Sequence, residues 1–229
     1  MRCGEVMDIL KSLGDPRNVA GMARFGIKPA VALGVPKPAL RRLARELGRD
    51  HDLAQELWAS SVHEARVLAS MIEEPAEVTA DQMDAWAEDL DNWDICDQCC
   101  LNLFWKTVFA YGKAEDWTTS EREFVKRAGF VLIASLAIHD KKASDARFER
   151  FLSSIEREAA DDRNIVKKAV NWALRQIGKR NADLRQRAVE VALELQRAES
   201  KSARWVGSDA LRELSSEAVQ RRLSLKRRH

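Results

Sequence analysis

From residue 76 to residue 229 the chain contains no proline. Over that whole stretch apolar residues return at helical spacing, and nothing alternates with period two for long. A chain free of the one residue that both removes a backbone donor and clashes with the preceding turn can run in long helices. Without period-two alternation it has little use for strands. The five prolines, Pro16, Pro29, Pro36, Pro38 and Pro75, fall in the first third. Two of their settings favour helix starts. Asp15-Pro16 places a capping carboxylate before a first-turn proline, and Gly34-Val35-Pro36-Lys37-Pro38 leads into Leu40, Leu43, Ala44 and Leu47. Those four lie on one helical face, and Gly48 supplies the stop.

The same pattern predicts helices over 4–13, 52–59, 63–72, 80–90 and 93–109. Ser120 with Glu123 three positions later has the capping-box form and opens a long apolar helix to about His139. Ser144 introduces Phe148, Phe151, Leu152 and Ile155 at helical spacing. Helices over 164–178, 182–199 and 208–223 complete the series, and a basic tail at 224–229 is expected to be disordered. About ten helices joined by short turns make an all-α fold. Helix pairs return roughly every 40 residues, which suits an α-α superhelix of HEAT-like repeats with a concave basic face. No linker rich in Gly, Ser or Pro divides the chain, so the expectation is a single domain, 1–229.

A hydrophobic content of 45% over 229 residues suffices for a sizeable core. No run of about 18 apolar residues indicates a membrane span, and the first residues lack a signal-peptide core, so the expected location is cytoplasmic. The net charge of +2 conceals a strong polarity. Residues 1–45 hold nine Lys/Arg against three Asp/Glu, 46–97 hold two against fifteen, 98–140 five against five, and 141–229 twenty-two against thirteen. Basic ends around an acidic segment can present positive charge to a polyanion, although helical proteins also solvate their outer faces with Lys and Arg.

Of the four cysteines, Cys96, Cys99 and Cys100 fall within five residues. A structural zinc site needs four ligands, and no second Cys pair or His pair accompanies Cys96-x-x-Cys99, so no metal is expected. Small apolar fillers on a buried helix face is the alternative.

Three segments carry chemistry. In Asn92-Trp93-Asp94-Ile95-Cys96-Asp97, an indole and a carboxylate four residues apart share a helix face. Both attract positive charge, the indole through its quadrupole and the carboxylate through Coulomb's law. Lys126-Arg127 leads an apolar run, and Trp172 is set within the basic segment Lys167-Lys168-Ala169-Val170-Asn171-Trp172-Ala173-Leu174-Arg175. Each also has a plainer role: Trp93 and Trp172 packing between helices, Asp97 solvated, Asp94 capping the helix, and Arg127 pairing with Glu123.

The segments WDICD, KRAGFVL and KKAVNWALRQIGKRN, with GVPKPALRRLARELG before them, resemble the bacterial DNA alkylation repair enzymes of the AlkD type, the HEAT-like-repeat alkylpurine DNA glycosylases. The resemblance spans 35–181. It implies a DNA repair hydrolase that breaks the N-glycosidic bond of cationic N3- or N7-alkylated purines in duplex DNA. It implies no metal or organic cofactor, no membrane and no obligate protein partner. Asp97 matches the family's catalytic carboxylate, Trp93 the aromatic heading that motif, Arg127 the DNA-contacting arginine, and Trp172 the second aromatic. Lys126, Lys167, Lys168, Arg175, Lys179 and Arg180, with Lys37 and Arg41 nearer the start, are further candidates for phosphate contact. Cys96 departs from the family pattern, in which a hydroxyl or apolar residue is usual, as does Gln98-Cys99-Cys100. A catalytically inactive relative that binds unusual or branched DNA is the alternative within the family, and a protein-interaction solenoid the alternative outside it.

Overall fold

The computed structural model describes residues 1–226, and the chain packs as two compact units, Met1–Phe109 and Ala110–His229. Fourteen α-helices occur among the described residues, with one isolated parallel bridge between Val31 and Val62. No described helix is long and apolar enough to cross a membrane.

The first unit holds α1 (Cys3–Ser12), α2 (Pro16–Arg24), α3 (Lys37–Leu47), α4 (His51–Ala59), α5 (His63–Ile72), α6 (Ala80–Glu88) and α7 (Trp93–Asn102). Its centre is α5, which packs against α3, α4 and α7 and buries every residue but Met71. That centrality forces polar groups inside, and each is satisfied. Arg66 donates to the carbonyl oxygens of Trp58 and Asp89 and lies over the Trp58 ring. Trp58 stacks on Trp86, ring centroids 4.0 Å apart. Asp15 caps α2 by accepting from the Arg17 amide, and Gly48, at φ 75°, ends α3, both as the sequence predicts. The helix expected to run to residue 109 ends at Asn102. Leu103 leaves helical geometry at φ −125°, and a 3₁₀ turn, Phe104–Lys106, follows.

The second unit holds α8 (Ala110–Trp117), α9 (Glu123–His139), α10 (Asp145–Glu158), α11 (Asn164–Gly178), α12 (Ala182–Arg197), α13 (Lys201–Leu214) and α14 (Glu217–Lys226). Its core helix is α9, buried without interruption from Val125 to Ala137. A helix apolar all round has to be enclosed, and α8 and α11 pack against it while α12 and α13 pair beside α11.

Three expectations are corrected. Ser120 is not the cap of α9: its hydroxyl accepts from the Arg122 amide, and the helix begins at Glu123. The helix expected over 208–223 is two, because Ser215 and Ser216 close α13 and release the chain into α14. Residues 224–226 of the expected disordered tail belong to α14, and 227–229 lie outside the described residues.

Candidate nucleic-acid site

The α7 segment is set by its first residue outside the helix. Asn92 accepts the amides of Asp94 and Ile95 on its side-chain oxygen, so Asn92, not Asp94, caps the helix. Trp93 and Asp97 follow at spacing four on one face, both half-buried. The Trp93 indole Nε1–H donates to the Phe25 carbonyl, 2.9 Å away, at the end of α2. A tether of that kind to the main chain fixes the ring's rotation as well as its position.

Asp94 points elsewhere. Only 8% exposed, it accepts from Lys37 Nζ at 2.8 Å on both carboxylate oxygens and from His63 Nε2 at 3.1 Å. Burial pushes its carboxyl up, but the His63 hydrogen bond and the Lys37 ammonium outweigh that and hold it below the ordinary aspartate value. A group depressed in the folded state contributes stability that is complete above its unfolded value and is lost as pH falls through the folded one. The expected result is a first unit whose melting temperature drops from about pH 4 downward. Asp94→Asn should flatten that limb by about one proton in a melting series from pH 6 to pH 3.

Cys96 and Cys100 follow Trp93 at spacings of three and seven along the same side of α7, with Cys99 further round the helix. All three thiols are wholly buried, and burial pushes Cys99 and Cys100 well above the usual thiol range, which leaves them protonated and unreactive.

In the second unit Arg127 is 7% exposed on α9 and donates through Nη1 to the Ile165 carbonyl, 2.6 Å away, in the first turn of α11. Trp172 is half-buried on α11. With the Gln176 amide turned to satisfy both donors, its side-chain oxygen accepts from Trp172 Nε1 at 2.9 Å and from Lys179 Nζ at 3.1 Å. Trp93 and Asp97 thus share one helix of the first unit, and Arg127 and Trp172 belong to a packed helix pair of the second.

The expected phosphate-contacting residues divide by their partners. Lys126 is held by Glu158 and Asp161 at 2.8 and 3.3 Å. Arg175 and Lys179 both engage Glu213. Arg180 closes the end of α9, donating to the carbonyls of Ala137, Asp140 and Ala143 with its guanidinium over the Phe148 ring. Lys37 is bound to Asp94. These five are engaged inside the fold. Lys168 and Arg41 are exposed, and Lys167 lies 5.1 Å from the centroid of the half-open Trp205 ring. Arg41 shares with Arg45 the wall of an open cleft of about 490 Å³. His63 and Asn92, which organise Asp94 and α7, were not marked by the motif. Asn92 carries a legible cap signal, whereas nothing in the sequence links Lys37 to Asp94 57 positions away.

A family model described as DNA alkylation repair enzyme matches residues 6–214. The chain belongs to that family. A solved structure described as a new family related to the HEAT-like repeat DNA glycosylases, with affinity for branched DNA structures, superposes with a TM-score of 0.81. The two are 21% identical over 97% of this chain and 96% of that one, which fixes the fold as all-α and HEAT-like. Two designed armadillo repeat proteins, one in complex with the peptide (KR)4, match at TM-scores of 0.36 and 0.34, with 14% and 15% identity. They cover 82% and 78% of this chain and are matched over 90% and 92% of their own. A comparison with curated proteins finds no match.

Proposed function

We propose that this family member is a DNA glycosylase that hydrolyses the N-glycosidic bond of cationic N3- or N7-alkylated purines in duplex DNA, without a metal. The observation that carries the reading is the α7 pair: an indole held rigidly by the main chain and a half-buried carboxylate one turn further along.

Alkylation at N3 or N7 places a positive charge on the purine, so the base leaves readily with the electron pair of the glycosidic bond. Its departure neutralises the base and leaves an oxocarbenium-like sugar. Asp97 would stabilise that cation and orient the water that adds to C1′, the water's proton passing to the carboxylate or to solvent. Trp93 offers a π face to the cationic nucleotide, worth about 0.5–2 kcal/mol, and the family resemblance assigns an aromatic role to Trp172 on α11 as well. Arg127 brings a guanidinium suited to a backbone phosphate. Lys168, Lys167 and Arg41 add contacts that do not require dismantling an internal ion pair.

The test is duplex DNA carrying N7-methylguanine and N3-methyladenine, scored for released base with and without chelator. Release above the spontaneous rate, unchanged by chelator, is expected. Absence of release while binding persists would overturn the enzyme reading. It would favour the second reading, a binding-only protein for branched DNA, which draws on the branched-DNA affinity of the structural relative. A four-way junction competed against linear duplex then separates the two. Because four of the eight basic candidates are already ion-paired and Arg180 is held by carbonyls, three or four phosphate contacts are expected. The slope of log affinity against log salt should therefore be about −2.7 to −3.6, shallower than eight contacts would give.

A further inference from the structure

The first unit contains a cavity of about 320 Å³ beneath α2, built by residues 18–94 alone. That volume is at the lower end of the range of small-molecule sites, about 300–1,000 Å³. Its walls are apolar, with Met22, Ile27, Val35 and Leu40 facing one another. Its floor is polar and deeply enclosed: His63 is 3% exposed, Glu64 2% and Asp94 8%. No residue of α2 is buried. Its half-buried Met22 and its Asn18 line one side of the cavity.

The floor has a definite donor and acceptor pattern. Glu64 accepts the Leu33 and Gly34 amides at 2.8 and 2.6 Å, one on each oxygen, which leaves each oxygen a further lone pair. Asp94 can only accept, so His63 Nε2 is the donor between them, and His63 Nδ1 lies 3.5 Å from the Asn92 amide nitrogen. Lys37 reaches both Asp94 oxygens and has three N–H groups in all. The floor thus combines several acceptors with one ammonium and carries two carboxylates against one ammonium. A flat ring bearing an amino group beside a ring nitrogen meets it on all three counts: the amino hydrogens to the carboxylates, the ring nitrogen to the ammonium, and the faces between the apolar walls.

We propose that this cavity binds a free aminopurine base. The site is separate from Trp93 and Asp97 and independent of whether the protein cleaves DNA. Adenine is the probe, titrated into the full chain by calorimetry, with hypoxanthine, which has a carbonyl in place of the amino group, as its counterpart. Saturable adenine binding at 1:1 is expected, at least about tenfold tighter than hypoxanthine, one carboxylate-to-amino contact being worth that much. Met22→Trp places a larger ring in the cavity and should weaken the binding strongly. Asp94→Asn changes the floor, at some cost in stability, and should weaken adenine at least about tenfold in the folded protein, a second readout should the tryptophan variant unfold. Absence of saturable binding at millimolar adenine, equal affinity for hypoxanthine, or full affinity in a folded Met22→Trp protein would each overturn the proposal.

Discussion

Asp97→Asn is expected to slow release of N3- and N7-methylated purines by about 10²–10³-fold while duplex affinity stays within a few-fold. That magnitude is what a single preorganised charge aimed at a developing one contributes. The substitution keeps shape and removes only the negative charge, so it separates stabilisation of the sugar cation from packing. The neighbouring acid supplies the contrast. Asp94 is spent on Lys37 and His63, so Asp94→Asn should lower stability by about 1.5–3 kcal/mol and change excision far less. A series in which Asp94→Asn abolished release and Asp97→Asn did not would show that the wrong carboxylate of the motif had been assigned the chemistry.

A large effect on folding is expected at Gly207. A Cβ there would stand 2.4 Å from the Ala192 carbonyl oxygen and 2.8 Å from the Gln196 amide nitrogen, both backbone atoms of α12. Backbone cannot rotate away as a side chain can, so α12 and α13 would have to separate. Gly207→Ala should cost about 3 kcal/mol or more, a fall of about 10–20 °C in melting temperature for a unit of this size. Gly112 in α8 has nothing within 4 Å of the same position, and Gly112→Ala should instead gain about 0.5–1 kcal/mol. Two glycine-to-alanine changes of opposite sign in one unit, followed by circular dichroism, test whether close helix approach is what Gly207 provides.

How far the sequence could carry these conclusions depended on the range of each interaction. Helices were legible because spacing of three and four is local, and Asp15 and Gly48 mark ends through contacts with their immediate neighbours. Ser120 misled because a hydroxyl can serve an amide two residues on as well as three. The run over 208–223 misled because its apolar periodicity continues through Ser215 and Ser216, where the chain turns. The candidate motif was legible as residue types, and Trp93 and Asp97 do share a face. The basic candidates were less so. Sequence gives the sign of Lys126, Arg175, Lys179 and Arg180, but not that Glu158, Asp161, Glu213 and a helix terminus had claimed them across 30 or more positions. The cavity was invisible for the same reason, since Lys37, His63 and Asp94 meet only after three helices pack.

The indoles at residues 93 and 172 are each limited in what they can tell apart. An indole has a single hydrogen-bond donor, and both of these direct it into the protein, one to the Phe25 carbonyl and one to Gln176. Neither has a donor left with which to interrogate the edge of a base. Such rings sense electrical charge and flatness but are deaf to the lettering of the genetic alphabet. A methylated adenine and a methylated guanine would then be distinguished by how readily each departs, and undamaged bases would be spared because they carry no charge to be felt.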